Sequence, residues 1–169
     1  MSKTYHVMNG AAPGAAAPVA ISTGTAIKTM LQLATNATTP AIRLVEWWAE
    51  FDGSAAATPG KVELVRHTGG AQTTLTAYVA ADIAKVNDPN APASSIQLGA
   101  ALSGFGTGAA EVTPTGAVSL ESHLVPPTSG IYVQFPLGRE AEVQIAAFAR
   151  IRTTFGAAVN CYAGVHWEE

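Results

Sequence analysis

Charge is scarce in this chain. Only 12% of its 169 residues are Asp, Glu, Lys or Arg, against roughly 25% in an ordinary soluble domain. The basic residues are scattered singly apart from Arg150 and Arg152, and the net charge is -3. A phosphate backbone is held by a concentrated basic patch, so no nucleic-acid partner is expected. Cys161 is the only cysteine, which excludes an intrachain disulfide. In "AAVNCYAGVHW" it reads as a small buried residue. No stretch approaches the roughly 20 apolar residues that cross a bilayer, so no membrane partner is expected either. The first residues, "MSKTYHVMNGAAPGAAAPVAIS", lack the basic start and leucine-rich centre of a secretory signal, and Pro13 and Pro18 interrupt them.

Catalytic and metal-binding motifs are missing as well. The four histidines, His6, His67, His123 and His166, show neither HxH nor HExxH spacing. His123 and His166 fall on strands, facing solvent or an interface. There is no GxSxG elbow. "GFGTG" at 104–108 lacks the strand, helix and last glycine of a dinucleotide fingerprint and reads as a loop. Glu140 and Glu142 share one strand face beside Arg139, the pattern of a solvated edge rather than of carboxylates held across a cleft. The expectation is a chain with no catalytic residue, no cofactor and no metal, and not an enzyme.

What is present is alternation. "TAIKTMLQLAT" places Ile27, Leu31 and Leu33 on one face, and Lys28, Met30 and Gln32 on the other. "AVSLESHLV" groups Val118, Leu120 and Leu124. "EVQIAAFARIRTT" aligns Val143, Ile145, Ala147, Ala149 and Ile151, and "AVNCYAGVHW" follows across the turn "FGA" as if closing a hairpin. Such runs between Gly, Pro and Asp breakers read as strands. The segment from 80 to 92 has room for one helical turn. With eight or so strands and no long helix, the expected fold is all-β, an antiparallel sandwich or jelly roll over 25–169. Residues 1–24, rich in Ala, Gly and Pro, read as an extended or flexible arm without a core of its own.

"AIRLVEWWAEFD" carries the adjacent pair Trp47 and Trp48. Neighbours on a strand point to opposite faces. Strict alternation groups Arg43, Val45, Trp47, Ala49 and Phe51 on the core side. Ile42, Leu44, Glu46, Trp48 and Glu50 take the other. Burying Trp48 between its carboxylates against another surface would contribute on the order of 2 kcal/mol. Trp48, Glu46, Glu50 and, from "IYVQF", Tyr132 are therefore the expected contact residues. A sugar-binding platform made of Trp47, Trp48, Tyr78, Tyr132 and Trp167 is the competing use of these aromatics, although aromatics serve equally as core and as interface anchors.

Three phrases, "VEWWAEFDGSAAATPGKVELVR", "LVPPTSGIYVQFPLGREAEV" and "ARIRTTFGAAVNCYAGVHWEE", resemble a group of small structural proteins encoded by tailed bacteriophages. The resemblance runs from about residue 24 to the end and covers no catalytic motif. It implies a β-sandwich that packs on a virion, most simply a decoration or cement protein on the head lattice, with the major capsid protein and further copies of itself, often as a trimer, for partners. It implies a place on the capsid surface of the virion, reached through the host cytoplasm during assembly. A tail component or a carbohydrate-binding virion component is the alternative.

Overall fold

The computed structural model describes residues 2–10, 19–38, 41–54, 57–107 and 111–169. Along the chain the strands are β1 (Thr4–Met8), β2 (Ile21–Ser22), β3 (Lys28–Ala34), β4 (Ile42–Phe51), β5 (Gly60–His67), β6 (Leu75–Ala77) and β7 (Ala84–Lys85). They continue with β8 (Gly104–Thr107), β9 (Val118–Val125), β10 (Gly130–Gln134), β11 (Ala141–Val143), β12 (Phe148–Thr154) and β13 (Asn160–Glu168). One 3-10 turn, Ala80–Asp82, takes the place of the expected helical turn. The strands make two antiparallel sheets. Sheet I has the order β10-β4-β13-β1-β7, with β11 also on β4 and β2 on β13; sheet II runs β6-β8-β3-β12-β5-β9. The fold is an all-β sandwich, as the alternation predicts.

The core lies between the sheets. Trp47, Trp167, Leu44, Ile42, Ala163 and Val165 from sheet I meet Leu31, Leu33, Leu64, Val62 and Ile151 from sheet II, all essentially inaccessible. Cys161 is among them, and burial pushes its thiol pKa up.

Four expectations change on folding. Residues 4–8 are not an arm. β1 is an interior strand of sheet I, paired with β13 from Thr4↔Glu168 to Met8↔Gly164 and with β7 on its other side. Its alternation is short but sufficient, because Tyr5 and Val7 enter the core. Residues 21 and 22 pair with β13 as well; 11–18 lie outside the described residues. Second, "EVQIAAFARIRTT" is two strands. Ala146 takes the left-handed conformation at φ 51°, and between β11 and β12 the chain leaves sheet I for sheet II. Ile145, expected inside, is exposed at this crossing. Third, β12 and β13 form no hairpin; they lie in different sheets. Fourth, the glycine-rich "GFGT" is β8, wedged between β6 and β3. A Cβ on Gly104 would stand 2.4 Å from the Thr76 carbonyl oxygen, so only glycine admits that approach.

Bulges explain the misassigned faces. On β4, Glu46 pairs with His166 and Leu44 with Trp167, leaving Val45 as an extra residue. An extra residue reverses the phase of everything before it. Ile42 and Leu44 therefore join Trp47, Ala49 and Phe51 inside, and Arg43 points out. A second bulge, opposite Ile151 and Arg152, makes Met30 the extra residue and buries it in the core. A third, at Leu120, re-phases β9. Val118 and Leu124 then fall on opposite faces, each exposed, while Val125 is buried and His123 lies 6.3 Å from the Trp47 ring.

Candidate contact face

Each sheet has an outer face, and the two are finished differently. On sheet II, residues 70–72 and 111–112 lie over β3 and β12. Arg150 is buried and fully paired there. Its guanidinium donates to Glu111 Oε1 at 2.8 Å, to Gln32 Oε1 at 2.9 Å and to the carbonyls of Gly70 and Val112 at 2.8 and 2.9 Å. Glu111 also accepts from the Thr29 backbone N–H at 2.8 Å and from its hydroxyl. Arg152 reaches Glu63 at 3.2 Å, and Lys61 closes on the same carboxylate at 2.7 Å. Burial lowers the Arg150 pKa, and Glu111 opposes that shift. His67 stacks on Phe148 and donates from Nδ1 to the Gly69 carbonyl at 2.9 Å. Burial, then the Arg150 charge, lowers its pKa to about 4.

Sheet I carries the residues singled out from the sequence, and its registers bring all four together. Tyr132 of β10 stands opposite Trp48, Gln134 opposite Glu46, and Gly130 opposite Glu50. On the other side of β4, Glu46 faces His166 and Trp48 faces Gly164. His6 sits beside His166. A connected row results. The Tyr132 hydroxyl donates to Glu46 Oε2, and Glu46 Oε1 lies 2.5 Å from His166 Nδ1. The His166 and His6 rings are 4.5 Å apart.

Trp48 is half-buried. It lies flat over Gly164, where a Cβ would come within 2.2 Å of the indole. It stacks on His6 at 5.2 Å and tilts against His166 at 5.5 Å. Half-buried in this way, Trp48 takes much of its cover from its own sheet. Tyr132, at 60% exposure, is the aromatic that this face leaves open. His6 pays in protonation: burial first, then His166, lowers its pKa to about 4, with Glu46 opposing. The hydrogen bond to Glu46 raises that of Tyr132.

Of the five aromatics in the sugar-platform expectation, Trp47, Tyr78 and Trp167 are fully buried. Tyr78 donates its hydroxyl to the Met8 carbonyl at 2.6 Å, and Trp167 donates Nε1 to Glu169 at 3.0 Å. Only Trp48 and Tyr132 remain on a common outer face. Beside Tyr132 a groove of about 420 Å³ runs past Glu50, Ser129, Gly130 and Ile131. Sequence reasoning missed His6 and His166 as members of this row. Their alternation with core residues on β1 and β13 was visible, but the pairing of those strands was not. Among the described residues no three His, Cys, Asp or Glu side chains come together in a metal-holding group, and no helix is long and apolar enough to cross a membrane.

No protein-family model, curated protein or solved structure matches the chain.

Proposed function

We propose that this chain is a non-enzymatic structural protein of a tailed-phage virion, a decoration protein that binds the lattice of major capsid protein and stabilises the head. The observation that carries this reading is the inequality of the two outer faces. One is roofed by the chain's own loops around Arg150 and Glu111, and the other presents Tyr132, Glu50 and the edge of Trp48 to whatever lies outside. The phrase-level resemblance supports it, and so does the low charge. A protein bound at many copies on a lattice needs area rather than chemistry, because weak contacts add through multivalency.

A glycan-contacting virion component is the second reading. It is favoured by one observation: the Tyr132 ring is held by Glu46 next to a groove with a carboxylate at Glu50.

Co-sedimentation with undecorated capsids tests the proposal. Saturable binding in a fixed ratio to capsid subunits, with a higher capsid melting temperature, is the expected result. Failure to bind heads at micromolar protein overturns it. Binding to purified tails instead would assign the chain to the tail, and chemical-shift changes confined to Tyr132 and Glu50 on adding oligosaccharides would favour the glycan reading.

A further inference from the structure

We infer that β10 is a self-pairing edge: two copies of this chain join antiparallel along it, across a two-fold axis at Tyr132, so that sheet I continues from one copy into the other.

Each sheet ends in strands with one free side. An edge strand shows a row of unpaired N–H and C=O groups, and soluble proteins blunt such rows with short strands, charges, prolines or bulges. Five of the six described strands that are paired on one side only follow that rule. β7 has two residues, one of them Lys85, β2 has two, and β6 and β11 have three each. β9 is long, but it carries the Glu121–His123 pair and a bulge against β5. β10 follows none of it. Its five residues, "GIYVQ", include no charge and no proline, and its register with β4 runs unbroken.

The direction of its free groups selects the occupant. The Phe51 N–H donates to the Ser129 carbonyl, and the Phe135 N–H to the Val45 carbonyl. Antiparallel pairing alternates every second residue, so Ile131 and Val133 spend their backbone groups on β4. Those of Gly130, Tyr132 and Gln134 face away from it. A second β10 laid antiparallel with Tyr132 opposite Tyr132 matches every one of these positions. Gly130 then faces Gln134 of the other copy, and each such pair exchanges two backbone hydrogen bonds.

The side chains agree with the same register. Ile131 meets Val133 of the other copy as a non-hydrogen-bonded pair, the kind in which side chains approach most closely. Both are only half-buried in the single chain, although they pack on the core. On the outer face the two Tyr132 rings become neighbours, each held in place by its own Glu46. No like charges are brought together, and a contact that uses one patch twice closes as a two-fold dimer. A partner of different sequence would need to match only the backbone; the uncharged, self-complementary strand is what points to a second copy.

Sedimentation velocity over a concentration series is the test, with Tyr132→Lys and Tyr132→Glu as variants. Wild-type protein is expected to show a reversible monomer–dimer equilibrium. Each variant alone should dimerise at least about tenfold more weakly, and an equimolar mixture of the two should recover association as a mixed dimer. Gln134→Pro removes an edge-facing N–H without touching the bonds to β4, and it should also abolish the dimer while leaving the melting curve in place. A wild type that stays monomeric up to about 1 mM, or a dimer that all three variants leave unchanged, overturns the inference. Capsid binding is read separately. A monomer that still saturates capsids would overturn self-pairing and leave the decoration reading standing.

Discussion

The outer faces of the two sheets solve opposite problems with similar residues. Both carry carboxylates, a cationic or protonatable partner, and a histidine that burial keeps neutral. On sheet II the central cation is consumed: Arg150 is inaccessible, and Glu111, Gln32 and two backbone carbonyls take up its donors. On sheet I the row Tyr132–Glu46–His166–His6 is linked along the surface and ends in an exposed ring. A polar network under a roof fixes the fold, because each member costs free energy if its partner leaves. A polar row on an open face fixes the orientation of an aromatic instead, and a pre-set aromatic is what a contact with another molecule exploits.

The sharpest way to break this comparison is at Arg150. Arg150→Met is expected to destabilise the chain by about 3–5 kcal/mol, because buried Glu111 loses its close cationic partner and keeps only the Thr29 donors and Arg152 at 4.0 Å. Urea unfolding measures it. A loss no larger than that of a substitution at Tyr132 would mean that the roof over sheet II is ornamental.

The second test uses pH, since each face holds one histidine lowered to about 4 from an ordinary 6.5, His67 on sheet II and His6 on sheet I. Below pH 6.5 the unfolded chain takes up protons that the native histidines refuse. Stability should therefore fall as the pH drops from about 6.5 to about 4, and this contribution should level off below that. Melting temperatures across the window check the sign, and His67→Gln should flatten part of the slope. An unchanged slope in that variant would assign the effect to other groups.

The sequence reveals the sandwich because period-two alternation survives in nearly every strand. It also points to the open face, because Trp48 between Glu46 and Glu50 cannot be a core position. What alternation could not reveal is phase. One extra residue at Val45 moved Ile42 and Leu44 inside, and another at Leu120 put Val118 and Leu124 on opposite faces. Bulges arise from the pairing of two strands, and no single strand announces them. The same limit hid β1: five residues in an Ala- and Gly-rich segment look like a tail until β13 and β7 flank them. The Arg150–Glu111 contact joins residues 39 apart, and only the path of the loops over sheet II puts them together.

Gly164→Ala is the third test, with a smaller effect. The added methyl must lift the Trp48 ring off the sheet, at a cost of about 1–3 kcal/mol by overpacking. Tryptophan emission should shift to the red as the indole gains water. Unaltered emission would mean that Trp48 does not rest on Gly164. The smallest expected change in stability is at the open end of the row. Tyr132→Ser should alter the unfolding free energy by no more than about 0.5 kcal/mol, although it weakens association. A large loss would make Tyr132 part of the fold and remove it from the contact.

Hydrogen–deuterium exchange tests the central claim most directly, with the protein compared dilute, concentrated and bound to capsids. The amides of β3 and β12 are expected to be protected already in the dilute chain and not to change. The edge-facing amides of Gly130, Tyr132 and Gln134 are expected to exchange fast when dilute and to gain protection on association. Rapid exchange in β3 and β12 of the dilute chain, or new protection over residues 111–116 with none along β10, would contradict it.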